Sequence, residues 1–560
     1  MSENKSPRYL NVIEIILPIV SFFVIFIILA LRTYSMLSDE GIDLTKIEDQ
    51  DQFRAAQSQF ISKQEAEETA STFISSYFGN TSLQMSTVLQ TNLPFSAYIA
   101  KNELTGYQKE YGESYPIEFY QVLVQDAMSN DAYLVHVHMN DNNVIGFKQK
   151  MNAFRDTSDF NETDALATVR NYMENNNMTF TDWKLFSSDP EQGQLILEHQ
   201  TTNFEGAALY ATFEVQAGNI TAYETQFEAP STFKAWLSET LEARERGEWI
   251  NLIASFSFYV LIIVMTIVYR KAITFRTGIL LSIIVAAISI LYAYNTLPAT
   301  LSRVINETNA MELAIANQLI NLIFLLVLAV ITYFSLATGH GMLKMQHKEY
   351  LWPKWKEKDY GKHVLTAMGR GYLYFLIIFA FQQLYLYIGT EQYGVWTVND
   401  LTLTPFNMLY PALFPLLAWI AAISEEAVYR LFGFNIFKKW LKSTFLAALI
   451  PSFIWSLGHI AYPIFPWYTR VIEVTLLGLI FTFIYLKRGF ITAIFAHATM
   501  DSVLMGLSLM ALSTSYGLVT LFYIVFPALV GFAIFFAHKW FRKNATPPEQ
   551  HSQMNPVNDV

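Results

Sequence analysis

The nine residues Ala422-Ile423-Ser424-Glu425-Glu426-Ala427-Val428-Tyr429-Arg430 place two adjacent carboxylates and a guanidinium in an apolar run that begins at Leu409 and continues beyond Ile423. On a helix, Glu426 and Arg430 are four residues apart and can pair, which leaves Glu425 turned about 100° away. A charged side chain at the centre of a bilayer costs about 2.5–3.5 kcal/mol on insertion scales, and such residues are kept for pairing or for function. An unpaired carboxylate in apolar surroundings suits a general acid or base. Whether that reading applies depends on whether the run crosses a membrane.

The rest of the chain says that it does. Of 560 residues, 52% are hydrophobic and only 15% are charged, against roughly a quarter charged in soluble domains. Apolar stretches near the spanning length of roughly 20 residues recur at 12–31, 249–269, 278–294, 313–337, 371–388, 409 to beyond 423, 445–460, 471–486, 490–512 and 519–537. The first is longer than the core of a secretion signal and lacks a small-x-small cleavage site, so it reads as a retained signal anchor over 1–34. The expected fold is an all-α polytopic bundle of about ten transmembrane helices, carrying an inserted α+β extracytoplasmic domain. Residues 248–340 hold helices two to four, 341–370 a basic cytoplasmic loop, and 371–543 the membrane core. The tail 544–560, with Pro547, Pro548 and Pro556, reads as disordered.

Basic residues set the orientation. Lys5 and Arg8; Arg270, Lys271 and Arg276; the series from Lys344 to Arg370; Lys438, Lys439 and Lys442; Lys487 and Arg488; and Lys539, Arg542 and Lys543 all fall on one side when the ten stretches are threaded alternately. Both termini are then cytoplasmic and the acidic block 35–247 lies outside, most simply in a bacterial cell membrane. The net charge of −11 resides mostly in that block. With no cysteine, disulfides, thiolate ligands and a cysteine nucleophile are excluded. No basic run of the kind that tracks a phosphate backbone is present, which argues against a nucleic-acid partner.

The outer block contains a repeat. Tyr133–Phe147 aligns without gaps on Leu209–Tyr223, each an alternating strand, a polar turn and another strand, hence a hairpin. A helical pattern precedes each, through Ala66, Ala70, Phe73 and Tyr77 in one and Ala165, Val169 and Tyr172 in the other. The two units, about 62–151 and 163–228, resemble PepSY-type repeats. His136 and His138 share a strand face and could bind a metal, but the plainer reading makes them solvated residues opposite a Val135/Val137 core face.

Three further ionisable groups lie in or at the end of apolar stretches: His459, closing Trp455-Ser456-Leu457-Gly458-His459, and His497 with Asp501, which share a helix face. Path lengths from the basic ends, at about 1.5 Å per residue, put Glu425, His459 and His497 in a mid-membrane band without making them coincide. Pro451 offers a kink on the His459 helix.

This ordered set, E-E-x-x-x-R, aromatic-x-x-x-His and H-x-x-x-Asn/Asp over about 409–512, resembles the CPBP (CAAX protease and bacteriocin-processing, or Abi) family of intramembrane proteases, relatives of the type II CAAX prenyl endopeptidases. The resemblance implies an endopeptidase acting on a hydrophobic or lipidated peptide or protein within the lipid bilayer. Glu425 and His459 would activate water, His497 with Asp501 would stabilise the oxyanion, and Glu426, Arg430 and Trp455 would support the site. Two positions depart from the family pattern. Trp455 stands where Phe is usual, and Asp501 stands where the CAAX enzymes have Asn. An ionised Asp cannot donate a hydrogen bond, so Asp501 must be protonated or must orient His497. No cofactor is expected on a Glu/His-activated water. Zinc on Glu425, His459 and His497, a metalloendopeptidase, is the alternative. A proton-coupled transporter, a non-catalytic membrane sensor and a purely structural set of polar packing groups are the readings outside proteolysis.

Overall fold

The computed structural model describes residues 12–39, 60–80, 83–126, 131–150 and 160–543. Lys5, Arg8 and the tail 544–560 lie outside them. All ten apolar stretches are helical. Among the described residues eight helices are long and apolar enough to cross a membrane. The other two explain the difference from ten. Stretch 278–294 forms α6 (Ile279–Asn295), which bends by 45° into α7 (Leu297–Val304) as one broken span, with Pro298 in the first turn of α7, where a proline is best tolerated. Stretch 445–460 forms α12 (Thr444–Leu457), only 14 residues long, which stops short of His459.

The chain opens with α1 (Leu17–Asp39) and then builds a sheet. In the first half α2 (Lys63–Tyr77) precedes β1 (Leu83–Thr91), α3 (Leu93–Asn102), β2 (Glu118–Asp126), β3 (Ala132–Val137) and β4 (Val144–Lys150). In the second, α4 (Glu162–Asn175) precedes β5 (Trp183–Asp189), β6 (Gln194–Phe204), β7 (Ala207–Gln216) and β8 (Asn219–Glu228). The eight strands form one antiparallel sheet in the order β1-β2-β3-β4-β8-β7-β6-β5. Each half is thus a leading helix and four strands, with α3 added between β1 and β2 in the first, and the halves meet at β4–β8 through the three pairs Gly146–Glu224, Phe147–Tyr223 and Lys148–Ala222. The two repeated hairpins are β3–β4 and β7–β8. One face buries α2 through Ala66, Ala70 and Ile74 against Val122, Val135 and Val137, and α4 through Ala165, Val169 and Met173 against Leu197, Leu209 and Phe213. That is the period-2 alternation of a half-buried strand meeting an amphipathic helix.

Over β1–β3 the opposite face is covered by the bundle and not by solvent, which corrects the expectation for His136 and His138. Val88, Leu123 and Leu134 pack against Leu301, Ile305, Ala310 and Ala314 of the membrane part. His136 is mostly buried, with Nδ1 3.6 Å from Glu224 and Nε2 3.2 Å from the Gln121 amide. His138 lies past the strand end, and its Nδ1 accepts from the backbone N–H groups of Asn140 and Asp141. Its role is to close the turn.

The bundle continues with α5 (Ser231–Val268), α8 (Ala310–Met345), α9 (Tyr360–Tyr393), α10 (Leu417–Glu425) with a π-helical continuation Glu426–Phe434, α11 (Asn435–Leu441), α13 (Trp467–Arg488), α14 (Phe490–Leu512) and α15 (Gly517–Lys543). At 38 residues, α5 runs about 57 Å at 1.5 Å per residue, so its polar first turns rise beside the sheet. A two-stranded ribbon, β9 (Trp396–Thr397) with β10 (Ile464–Phe465), ties the α9–α10 connection to the α12–α13 connection. Trp396 and Phe465 are buried against Ala97 of α3 and Leu237 of α5. Asn407 meets the free edge of β1: its Oδ1 accepts from Leu89 N–H at 2.7 Å and its Nδ2 donates to Leu89 C=O at 3.1 Å. A side-chain amide carries one donor and one acceptor group, so it can stand in for a neighbouring strand.

Candidate functional site

Glu425 ends α10 and Glu426 begins the π-helical stretch. Adjacent residues on a helix point about 100° apart, and the two carboxylates serve different partners. Glu426 is fully buried with Arg430, Oε1 to Nη1 3.1 Å, as the four-residue spacing predicts. The same Oε1 lies 2.9 Å from Nδ1 of His497. The Arg430 guanidinium lies 4.1 Å from the Trp455 ring centroid and 5.1 Å from that of Phe481, a cation–π arrangement that suits a desolvated arginine.

Glu425 faces the other way. Trp455 Nε1–H donates to its Oε2 at 2.6 Å, and His497 Nε2 lies 3.7 Å from the same oxygen. The departure from the family's phenylalanine at 455 thus has a chemical content, since a phenyl ring has no proton to donate. His459, in the turn after α12, places Nδ1 3.1 Å from Trp455 C=O. A carbonyl oxygen only accepts, so Nδ1 carries a proton, and in the neutral ring Nε2 keeps the lone pair. Asp501, one turn after His497 on α14, sits 3.3 Å from its Nε2. Both nitrogens of His497 therefore face carboxylates, Nδ1 in a hydrogen bond with Glu426 and Nε2 at ion-pair distance from Asp501.

The residues picked from sequence converge. Glu425, Trp455, His459, His497 and Asp501 line one cavity of about 390 Å³, although their positions along separate helices did not coincide by counting. Tilt and the short α12 account for this, because His459 reaches the site from a turn. Glu426 and Arg430 lie behind the wall. The rest of the lining is largely apolar, including Phe414, Leu417, Val474, Leu477 and Met500. Sequence reasoning missed Arg470 and Tyr462, which line the same cavity, and Glu473. Arg470 pairs with the fully buried Glu473 at 2.8 Å and lies 5.0 Å from the Tyr462 ring centroid. Tyr462 in turn stacks on His459, with centroids 5.6 Å apart. The available signal was Glu473 itself, an acid inside the stretch 471–486 with a base three residues before it.

For a metal ion the arrangement is a poor fit. Among the described residues no three His, Cys, Asp or Glu groups are set to hold one ion. His497 is held through both nitrogens by carboxylates, and one of these, Glu426, belongs to the buried pair with Arg430.

A bundle of bilayer-length helices enclosing a cavity with carboxylates and imidazoles in its wall defines an integral membrane protein with a buried polar site. Residues 407–503 match the family model of the Type II CAAX prenyl endopeptidase Rce1-like proteins. The matched segment starts at Asn407 and takes in Glu425, Glu426, Arg430, Trp455, His459, His497 and Asp501, and it supports the CPBP resemblance for this part of the chain. Searches of curated proteins and of solved structures found no match. Nothing in these comparisons bears on the sheet, including its likeness to PepSY-type repeats.

Proposed function

We propose that the protein is an intramembrane endopeptidase of the CAAX type, hydrolysing a peptide bond in a hydrophobic or lipidated substrate with water activated by Glu425 and His459. The observation that carries this reading is the convergence of Glu425, His459, His497 and Asp501 on one cavity whose remaining walls are largely apolar. In this mechanism a water held by the Glu425 carboxylate and His459 Nε2 attacks the scissile carbonyl carbon, and Glu425 takes the proton. His497, with Nδ1–H on Glu426, donates from Nε2 to the oxyanion of the tetrahedral intermediate. Asp501 is a positioning residue that orients the ring. Glu425 returns the proton to the leaving nitrogen, the C–N bond breaks, and the products are a carboxylic acid and an amine, which settle as a carboxylate and an ammonium once the acid's proton passes to the amine. The apolar lining receives the substrate's side chains and excludes bulk water.

Glu425→Ala should abolish cleavage in membranes while the purified variant keeps the wild-type melting profile. Cleavage at the wild-type rate by that variant would end the proposal. Purified enzyme stripped of divalent metal by chelation should retain its activity, and loss restored by zinc would move the assignment to the metal version. Proton flux in vesicles that depends on Glu425 without any proteolysis would assign the cavity to transport.

A further inference from the structure

The cavity occupies one half of the bundle, and every helix that lines it agrees on which half. On α13 it takes Arg470, Val474 and Leu477 near the start, while Lys487 and Arg488 close the far end. On α14 it runs from His497 towards Ser508, away from the Arg488 junction. On α10 it runs from Leu417 to Glu425 and stops before Lys438 and Lys439. Above it lie Leu403 and Tyr462, from the two connections that the β9–β10 ribbon joins. Those connections are fixed to the sheet. Asn407 holds Leu89 of β1, Asn399 donates to Glu118 of β2, Leu401 and Phe406 pack on the cluster beneath α2, and Phe465, six residues after His459, is buried by α3 and α5. The roof of the cavity is therefore continuous with the sheet, and the basic helix ends lie at the opposite face.

We propose that the cavity is served from the extracytoplasmic side, beneath the sheet, and takes an apolar segment of a membrane-anchored polypeptide whose scissile bond lies on that side. The inference rests on the protease reading above and on the orientation set by the basic loops. It separates this protein's substrate from a cytosolic lipidated tail, which would have to enter from the opposite face, where Lys438, Lys487 and Arg488 lie at the helix ends.

The sidedness can be read without catalysis, because the chain has no cysteine and any introduced thiol is unique. In intact cells a membrane-impermeant maleimide should label Lys184→Cys on the exposed sheet surface and Leu403→Cys at the cavity roof, with Ser508→Cys as a second cavity probe. Lys362→Cys, exposed at the basic face, should react only after permeabilisation. Cavity thiols that react only together with Lys362→Cys, or in neither condition, would overturn the proposal, as would a Lys184→Cys that needs permeabilisation. The substrate class is tested by mapping new polypeptide ends in membranes holding the full-length protein against those holding Glu425→Ala. Ends clustered in extracytoplasmic segments beside membrane anchors are expected, and ends in cytosolic tails would overturn it. An absence of new ends would count against proteolysis itself and leave the labelling result standing.

Discussion

At the scale of single residues, the pair Glu425-Glu426 divides its work by direction: one carboxylate faces the cavity, the other a buried arginine. Glu425→Gln keeps size and shape but cannot take a proton from water, so cleavage should fall by at least about 100-fold, measured on reconstituted enzyme. Arg430→Ala strips the counter-charge from a carboxylate with no water to turn to. Breaking such a pair costs about 3–5 kcal/mol, and the expected outcome is a lowered melting temperature together with lost activity. Trp455→Phe gives the contrasting result. It removes one N–H donor to Glu425 and leaves the cation–π face to Arg430, so turnover should drop while the melting temperature barely moves. The pairing of Glu426 with Arg430 was legible from spacing alone. The second contact of Glu426, with His497, was not, because it joins residues 71 apart and no local periodicity encodes it.

Among the elements, the joints between sheet and bundle are the testable ones. Asn407→Asp retains an acceptor for Leu89 N–H but cannot donate to the carbonyls of Leu89 and Leu401. Leaving buried carbonyls without a donor costs about 1–3 kcal/mol, and limited proteolysis should open the 396–407 segment in the variant before any other. His136 supplies a pH dependence. Burial lowers its pKa below the ordinary 6.5, with Glu224 opposing and Lys148 adding to the effect. Below pH 6.5 the unfolded chain binds a proton that the folded sheet resists, so stability is present above that value and is lost as the pH falls. Unfolding of the sheet followed from pH 7.5 to 5 should show that loss, and His136→Gln should flatten it. The two hairpins could be read from alternation and turn residues. The β4–β8 pairing and the burial of the opposite face could not, since both depend on where the bundle stands.

For the whole molecule, the first helix is tied into the bundle by Glu14, in the π-helical turn Val12–Ile16 that leads into α1. Glu14 meets Tyr374 at 3.2 Å and Arg370 at 3.3 Å, and accepts from Arg488 at the α13–α14 junction. Its signal was in plain view as an acid inside the stretch 12–31. With a protease site engineered into residues 40–59, α1 should stay bound to the remainder after cutting. Glu14→Ala should release it, as read by co-purification in mild detergent. The ten apolar stretches were all legible from hydropathy, because lipid imposes a length on any helix that crosses it. Their mutual arrangement follows from packing and from ion pairs across helices, which hydropathy cannot rank.

The three-pair junction of β4 with β8 also has a mechanical side. Strand β8 passes directly into α5, whereas β1 is held by Asn407 over the roof of the cavity. A force on the distal strands would travel down β8 into a membrane helix, and a force on the proximal strands would reach the turn that carries His459. The short junction is the least reinforced place between those two routes. Tension on the sheet would part it there first, and the two halves would then pull on the bundle separately, one through α5 and one through the connection that carries Asn407.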